Sequence, residues 1–281
     1  MKTIFSLLYK GFSLFLLFHI FHSANFAESK SNFAHPLQIE PVAIYNKIRV
    51  NASYWDKRNL GIYEQNKNLN IEGEYNFWNN FSITSSIGKT NYVQTNSAVE
   101  ETWNRWNFGL KYGKIFDFAS GQLLVGGGIS FFDRKRGGEL RERENPEYYL
   151  IRPNFGLGFK SGRFEIMSEL RFQTETNQKM KEGTLEEFRR YYQFGIAPSF
   201  AATESIRMFL ELEYREPFDR NVDTKTRFFN IYPGIAYKSE SIGTFSLSLQ
   251  LSILARNENA MDRGIRFSYF YFFDTINDSK P

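Results

Sequence analysis

The sequence predicts an all-β fold, an antiparallel up-and-down transmembrane β-barrel of twelve strands, and three observations predict it. The 281 residues are 42% apolar and 18% aromatic, yet their mean hydropathy is −0.45. After residue 27 no apolar run approaches the roughly 20 residues that a transmembrane helix needs. Apolar residues instead recur at every second position, which is the period of a strand. The connections between these segments also alternate between short and long, as they do in membrane barrels.

The N-terminal residues 1–27 are predicted to be a signal peptide. Lys2 precedes the apolar stretch 12–21, which is too short to remain as a membrane span, and Asn25-Phe26-Ala27 suits cleavage. The absence of Cys suits export into an oxidising periplasm. We expect residues 28–43 to form a periplasmic N-terminal arm, residues 44–273 the barrel and residues 274–281 a C-terminal tail.

Twelve alternating segments follow one another through the barrel region. Each is longer than the roughly 5 to 6 residues of a soluble strand and close to the about 9 to 11 residues that cross a bilayer at a tilt. The alternation is clearest in the eleventh segment, where leucines at 247, 249 and 251 face one way and serines at 246 and 248 the other. The segments are 44–54, 69–77, 81–90, 105–112, 123–131, 149–160, 163–173, 188–196, 206–215, 228–237, 244–253 and 265–273.

The connections between the segments fall into two classes. The long ones are 56–68, 91–102, 133–147, 174–187, 216–225 and 256–263, and the short ones are 78–80, 115–121, 161–162, 201–205 and 239–243. Outer-membrane barrels have short periplasmic turns, longer extracellular loops and an even strand number. We therefore expect both chain ends on the short-turn side.

The closing segment ends in an aromatic run, Arg266-Phe267-Ser268-Tyr269-Phe270-Tyr271-Phe272-Phe273. With the twelve segments, this run resembles bacterial outer-membrane β-barrels of the small, porin-like class, although no specific family can be identified. The resemblance implies that the final strand is read by the barrel-assembly machinery. It departs from the usual form because the eight residues 274–281 follow the aromatic run.

The inward-facing positions hold the candidate functional residues, twelve basic and six acidic side chains with a surplus of six positive charges. A narrow passage of low dielectric constant focuses such a field and concentrates anions. Two bases, Lys47 and Lys160, lie nearest the strand ends. The other ten, the solute and selectivity candidates, are Arg49, Arg105, Lys111, Arg152, Arg163, Arg171, Arg189, Arg207, Arg215 and Arg266. The acidic partners are Glu72, Glu74, Glu165, Glu169, Glu211 and Glu213.

Two functions stay open at this point. The basic surplus favours a narrow channel for small, preferably anionic solutes. The alternative is a closed structural or surface-display, adhesin-like barrel without transport activity, because segments 163–173 and 206–215 each place Arg and Glu on one face, where they can pair as a salt-bridged core. The run Gly126-Gly127-Gly128 is interpreted as a point of tight curvature.

An enzyme is not expected. His35 is the single His beyond the signal peptide and precedes the first strand, and no Gly-x-Ser-x-Gly motif is present. The sequence offers no metal-ligand set and no cofactor motif, so neither a metal nor a cofactor is predicted. The expected partners are outer-membrane lipid, the assembly machinery and small anionic solutes. The net charge of +4 gives no reason to expect nucleic acid.

Overall fold

The barrel is closed and all of its strands are antiparallel. The computed structural model describes residues 42–59, 62–94, 100–134, 148–175, 191–217, 228–239, 242–255 and 263–273. The predicted signal peptide, most of the arm, the tail and most of the long connections therefore lie outside the described residues. The strands are β1 (Lys47–Asn59), β2 (Ile62–Trp78), β3 (Phe81–Gln94), β4 (Glu100–Phe118), β5 (Gly121–Arg134), β6 (Tyr148–Ser161), β7 (Phe164–Glu175), β8 (Tyr191–Ala201), β9 (Ile206–Pro217), β10 (Phe228–Ser239), β11 (Gly243–Ala255) and β12 (Arg263–Phe272).

Each strand pairs with its neighbours in sequence, and β1 pairs with β12 to close the barrel. The closing seam runs in register from Lys47 opposite Phe272 to Asp56 opposite Arg263. Closure pairs the backbone groups that an open sheet would leave exposed at its edges. The prediction of twelve antiparallel strands in a closed barrel is confirmed.

The two faces of the wall have opposite character. On β11, Leu249 is 50% exposed on the outer face, whereas Ser248 beside it is 2% exposed on the inner face. The same alternation places large apolar side chains outward around the barrel, among them Leu69, Ile71, Leu110, Phe131, Phe155, Leu170, Phe194, Leu210, Ile235 and Phe267. Because an aqueous surface rarely carries so continuous an apolar area, this outer face fits a lipid environment.

Aromatic side chains gather at the end of the barrel where the connections are short turns. Trp78 is 64% exposed and stacks on Phe81 across the turn, with ring centroids 5.7 Å apart. Other exposed aromatic residues at this end are Phe116, Phe118, Phe164 and Phe200. Amphipathic or bulky aromatic rings are enriched at membrane–water interfaces, so this girdle marks the level of one interface.

Several strands extend further than the alternation predicted. The first long connection, predicted as 56–68, shrinks to residues 60–61, because β1 and β2 stay paired up to Asn59 opposite Ile62. Likewise β4 continues to Phe118, through the predicted turn 115–121. Backbone hydrogen bonds hold a strand pair regardless of side-chain polarity. Beyond the apolar band nothing requires alternation, so the pattern ends before the strand does.

The chain just before β1 enters the barrel interior. Val42, Ala43 and Tyr45 are at most 3% exposed and pack against inward-facing residues of the opposite wall, Leu124, Met167 and Ala197. Residues 42 and 43 were assigned to a periplasmic arm, and the structure places them instead inside the short-turn mouth. Alternation placed the start of the first strand at residue 44, whereas β1 begins at Lys47, so residues 44–46 belong to this segment and not to a strand.

Candidate functional site

The candidate site is the interior surface of the barrel, which is formed by every second side chain of each strand. The structure places the following predicted residues there: Arg49, Lys111, Arg152, Arg171, Arg207, Arg215, Arg266 and the acidic residues Glu72, Glu74, Glu165, Glu169, Glu211 and Glu213. Arg163 lies in the two-residue turn between β6 and β7 and is exposed, outside the interior. The side chains of Arg105 and Arg189 lie outside the described part of the chain.

One group of charges, here called the β1–β4 cluster, consists of Lys47, Arg49, Glu72, Glu74 and Lys111. The Nζ atoms of Lys47 and Lys111 each lie 3.0 Å from the Glu74 carboxylate. Lys47 also lies 3.1 Å from Glu72, and Arg49 is 3.7 Å from the same carboxylate. Lys47 and Glu74 have side-chain exposures of zero, so these charges depend on one another for solvation.

The β1–β4 cluster also holds the segment that precedes β1. The Tyr45 backbone N–H donates to Glu74 at 3.0 Å, and the Ser82 hydroxyl donates to the same oxygen at 2.9 Å. Lys111 donates to the Ala43 carbonyl at 3.0 Å. Lys111 was predicted as a solute-facing residue and Glu74 as an acidic partner. Their described contacts include this pairing and also join the wall to the segment before β1.

A second group, here called the β6–β10 cluster, lies on the opposite wall. Arg171 donates two hydrogen bonds to Glu169, at 2.9 and 3.0 Å, in a bidentate arrangement. Arg215 donates to Glu213 at 2.7 Å, and the Tyr232 hydroxyl donates to the other oxygen of Glu213 at 2.5 Å. Each of these ion pairs joins two residues of one strand, β7 or β9, on the lumen face.

Neutral side chains complete the β6–β10 cluster, and the sequence analysis did not single them out. Gln193 accepts from Arg215 at 3.1 Å, and the Arg215 guanidinium lies 4.6 Å from the ring centroid of Tyr191. Gln173 accepts a short hydrogen bond from Arg152. The inward parity of these residues was visible in the sequence, but an amide or a phenol carries no charge to mark it as part of an ionic network.

Near the short-turn mouth a third ion pair joins β7 to β9. Arg207 Nη1 lies 3.1 Å from the carboxylate of Glu165 and 3.0 Å from the hydroxyl of Ser199. In this pair the acid is the less exposed partner: Glu165 is 1% exposed whereas Arg207 is 22% exposed. The acid lies against the wall and the base covers it.

The same difference in exposure holds through the β6–β10 cluster. Arg171 is 11% exposed against zero for Glu169, and Arg215 is 26% exposed against 2% for Glu213. An acid that is covered by its basic partner presents little negative charge to the lumen. The charged surface that remains accessible on this wall is therefore mainly that of guanidinium groups.

A small cavity separates the two clusters. Its volume is about 30 Å³, room for about two water molecules. Lys111 of the β1–β4 cluster lines one side, and Arg152 and Arg171 line another. The remaining polar lining comes from Thr84, Ser130 and Asn154. Three cations and several uncharged hydrogen-bonding groups thus surround this space, an arrangement that suits a small anion.

Within the described residues, no group of three or more His, Asp or Glu side chains is arranged to hold a metal ion. The same part of the chain contains no helix of the length and apolar character that would cross a membrane.

Comparison with known proteins supports the architecture. No protein-family model matches this chain, and no curated protein matches its sequence. The structure is similar to that of an outer membrane channel from Pseudomonas putida F1, with a TM-score of 0.64 and 8% identity over 86% of this chain and 100% of that one. KdgM porin matches at a TM-score of 0.49 and 11% identity, covering 81% of this chain and 99% of that one. NanC porin matches at 0.49 and 9%, covering 81% and 100%. At such low identity the likeness establishes the fold alone, that of an outer-membrane β-barrel.

Proposed function

We propose that this protein is an outer-membrane β-barrel that forms a narrow channel for small solutes and prefers anions. The observation that carries the proposal is the difference in exposure between paired acids and bases. Glu169 and Glu213 are at most 2% exposed, while their partners Arg171 and Arg215 are 11% and 26% exposed. Along the β6–β10 wall a solute would therefore meet guanidinium groups and little carboxylate, which favours anions.

The outward apolar surface supports the membrane location. Leu247, Leu249, Leu251 and Ile253 lie at successive outward positions of β11 and are 39% to 55% exposed. Burying such residues in lipid recovers free energy that their exposure to water would cost. The described strands have 10 to 19 residues, enough to cross a bilayer at a tilt and continue beyond it.

The lining of the cavity between the two clusters supports the preference for anions. Lys111, Arg152 and Arg171 approach it from different strands, so a solute crossing at this level would pass all three cations.

Planar-bilayer recording of the purified protein tests the channel. We expect discrete conductance steps and, in a KCl gradient, a reversal potential that indicates chloride preference. Arg152→Gln should lower the chloride-to-potassium permeability ratio by about twofold or more, since it removes one positive charge from the lumen wall. A bilayer that stays silent with the folded protein present would overturn the channel.

Arg163→Gln is the matched control for Arg152→Gln. It removes the same charge from the exposed turn between β6 and β7, where concentrated salt screens it from the lumen. We expect the permeability ratio of the parent. If both variants shift the ratio equally, general surface charge explains the selectivity and the interior arginines do not.

A closed structural barrel is the second candidate, and the burial of the β1–β4 cluster favours it. Lys47 and Glu74 have no solvent-exposed side-chain surface, so no water-filled space reaches them in this conformation. A closed barrel would show the same heat-modifiable folding and the same orientation in the membrane as a channel. Only the absence of conductance steps would distinguish it.

A further inference from the structure

The segment of residues 42–46 crosses the short-turn mouth of the barrel. At the end of the segment next to β1, the Asn46 carbonyl accepts a hydrogen bond from the Phe273 N–H at 2.8 Å. The side-chain oxygen of Asn46 accepts another from the Asn76 N–H at 2.7 Å. From this rim the chain runs inward, and Val42 belongs to one apolar cluster with Met167 of β7 and Ala197 of β8. Because β7 and β8 lie across the barrel from β1, the segment spans the lumen.

The wall formed by β4, β5 and β6 has a recess, here called the apolar seat, into which the Val42 side chain fits. Gly113, Gly126 and Gly156 lie on the adjacent strands β4, β5 and β6 and are paired directly, Gly113 with Gly126 and Gly126 with Gly156. A Cβ atom at Gly156 would lie 2.8 Å from Cγ1 of Val42, and one at Gly126 would lie 3.0 Å from its Cβ. The row of three glycines therefore forms a trough whose missing side chains make room for this one valine.

Polar contacts hold the backbone of the same segment. Lys111 donates to the Ala43 carbonyl at 3.0 Å, and the Tyr45 N–H donates to Glu74 at 3.0 Å. The ammonium groups of Lys47 and Lys111 lie 5.1 and 5.8 Å from the centroid of the Tyr45 ring. The segment thus has an apolar seat at one end and a charged anchor at the other. No backbone ladder binds it to the wall over residues 42–46, since β1 begins at Lys47.

We propose that residues 42–46 form a removable plug that closes the short-turn mouth, and that release of Val42 from the glycine trough opens the passage. The gating part of this inference rests on the proposed channel, whereas the seating part does not. A segment that lies outside the sheet opens locally at a lower free energy than a strand within it. The plug is therefore the element of the described barrel that can move without breaking the wall.

Gly113→Ala is the substitution that tests the plug rather than the wall. The three nearest atoms to a Cβ at this position all belong to the plug: the Val42 carbonyl oxygen at 2.1 Å, the Val42 carbonyl carbon at 3.2 Å and Ile44 Cγ1 at 3.3 Å. The methyl group and the seated plug cannot occupy the same space. Gly73→Ala is the matched control, because a Cβ at Gly73 meets nothing within 4 Å.

A single-cysteine labelling assay reports the position of the plug and does not depend on transport. Each introduced Cys is the single labelling site, because the native chain has no Cys. Val42→Cys is labelled with a membrane-impermeant maleimide in the folded protein, and Ala119→Cys in an exposed short turn gives the unprotected rate. We expect the cysteine at 42 to react about tenfold or more slowly than the one at 119. Adding Gly113→Ala should bring the two rates within a few-fold, and adding Gly73→Ala should leave position 42 protected.

Conductance then tests gating. Gly113→Ala, and independently Val42→Asp, which places a charge in the apolar seat, should open more often or to larger steps than the parent, and Gly73→Ala should match the parent. Rapid labelling of Val42→Cys in the otherwise native chain, or protection that persists with Gly113→Ala in a folded barrel, would overturn the plug. If labelling responds as expected but every variant is electrically silent, the removable plug stands and the proposed channel fails. If the parent conducts and both unseating variants behave like it, the plug does not gate.

Discussion

Glu74 offers the sharpest test of how the interior charges stabilise the barrel. Its carboxylate has no exposed surface and receives hydrogen bonds from the Tyr45 N–H, the Ser82 hydroxyl and the Lys111 ammonium. Lys47 lies 3.0 Å from the same group. Glu74→Gln keeps the shape of the side chain, removes its charge and replaces one acceptor oxygen by an NH₂ donor.

The expected loss is large because both ammonium groups stay buried. Lys47 has zero side-chain exposure and Lys111 has 4%. Removing one partner of a buried pair typically costs about 3 to 5 kcal/mol, since the remaining charge is neither solvated nor compensated. Glu72 still faces Lys47, at 3.1 Å, and limits the loss on that side. We therefore expect Glu74→Gln to lower the free energy of unfolding by about 3 kcal/mol or more.

Reversible urea unfolding in lipid vesicles, followed by heat-modifiable gel mobility, measures this loss. Glu204→Gln in an exposed turn is the control and should change the free energy of unfolding by less than about 0.5 kcal/mol. The double variant Glu74→Gln with Lys111→Met should lose less than the sum of the two single losses, because it removes both members of the pair. A loss below about 1 kcal/mol for Glu74→Gln, the range of exposed pairs, would refute the reasoning, as would strictly additive losses.

Two further predictions concern the outer face and the opposite cluster. Leu249→Arg, at the middle of β11, should destabilise the barrel in vesicles by about 2 to 4 kcal/mol, whereas Ile242→Arg near the short-turn interface should cost at most about 1 kcal/mol; equal losses would argue against a lipid-facing β11. Tyr232→Phe removes the hydroxyl that donates to Glu213 at 2.5 Å and should cost about 1 to 3 kcal/mol in the same urea assay. The exposed Tyr237→Phe should be nearly neutral, and a neutral Tyr232→Phe would show that this hydrogen bond adds no stability.

Much of the fold could be predicted from the sequence because its determinants are local. Alternation with period two assigns each residue of a strand to one face, and a lipid environment requires that one face be apolar. All six predicted acidic residues accordingly face the interior. The strand ends could not be predicted, because strands such as β1 and β2 stay paired where their side chains are polar on both faces.

The site could be predicted in part for the same reason. Parity placed Arg171 and Arg215 in the lumen, but it also assigned Arg163, which the turn between β6 and β7 leaves exposed. Odd or even position in the sequence assigns a residue to one face only while the strand continues. It gives no information on where the strand ends. It also could not say which of two partners would be covered, since that depends on how each pair packs against the wall.

The sequence by itself determined the number of strands, their antiparallel order and the face on which the six acidic residues lie. Only the tertiary structure decided that Glu74 and Lys111 hold the chain before β1, and that Arg171, Arg207 and Arg215 cover their acidic partners. Gly113, Gly126 and Gly156 show the physical reason. They are scattered through the sequence, and only the register of three neighbouring strands aligns them into a trough, which the segment before β1 then fills from the other side of the barrel.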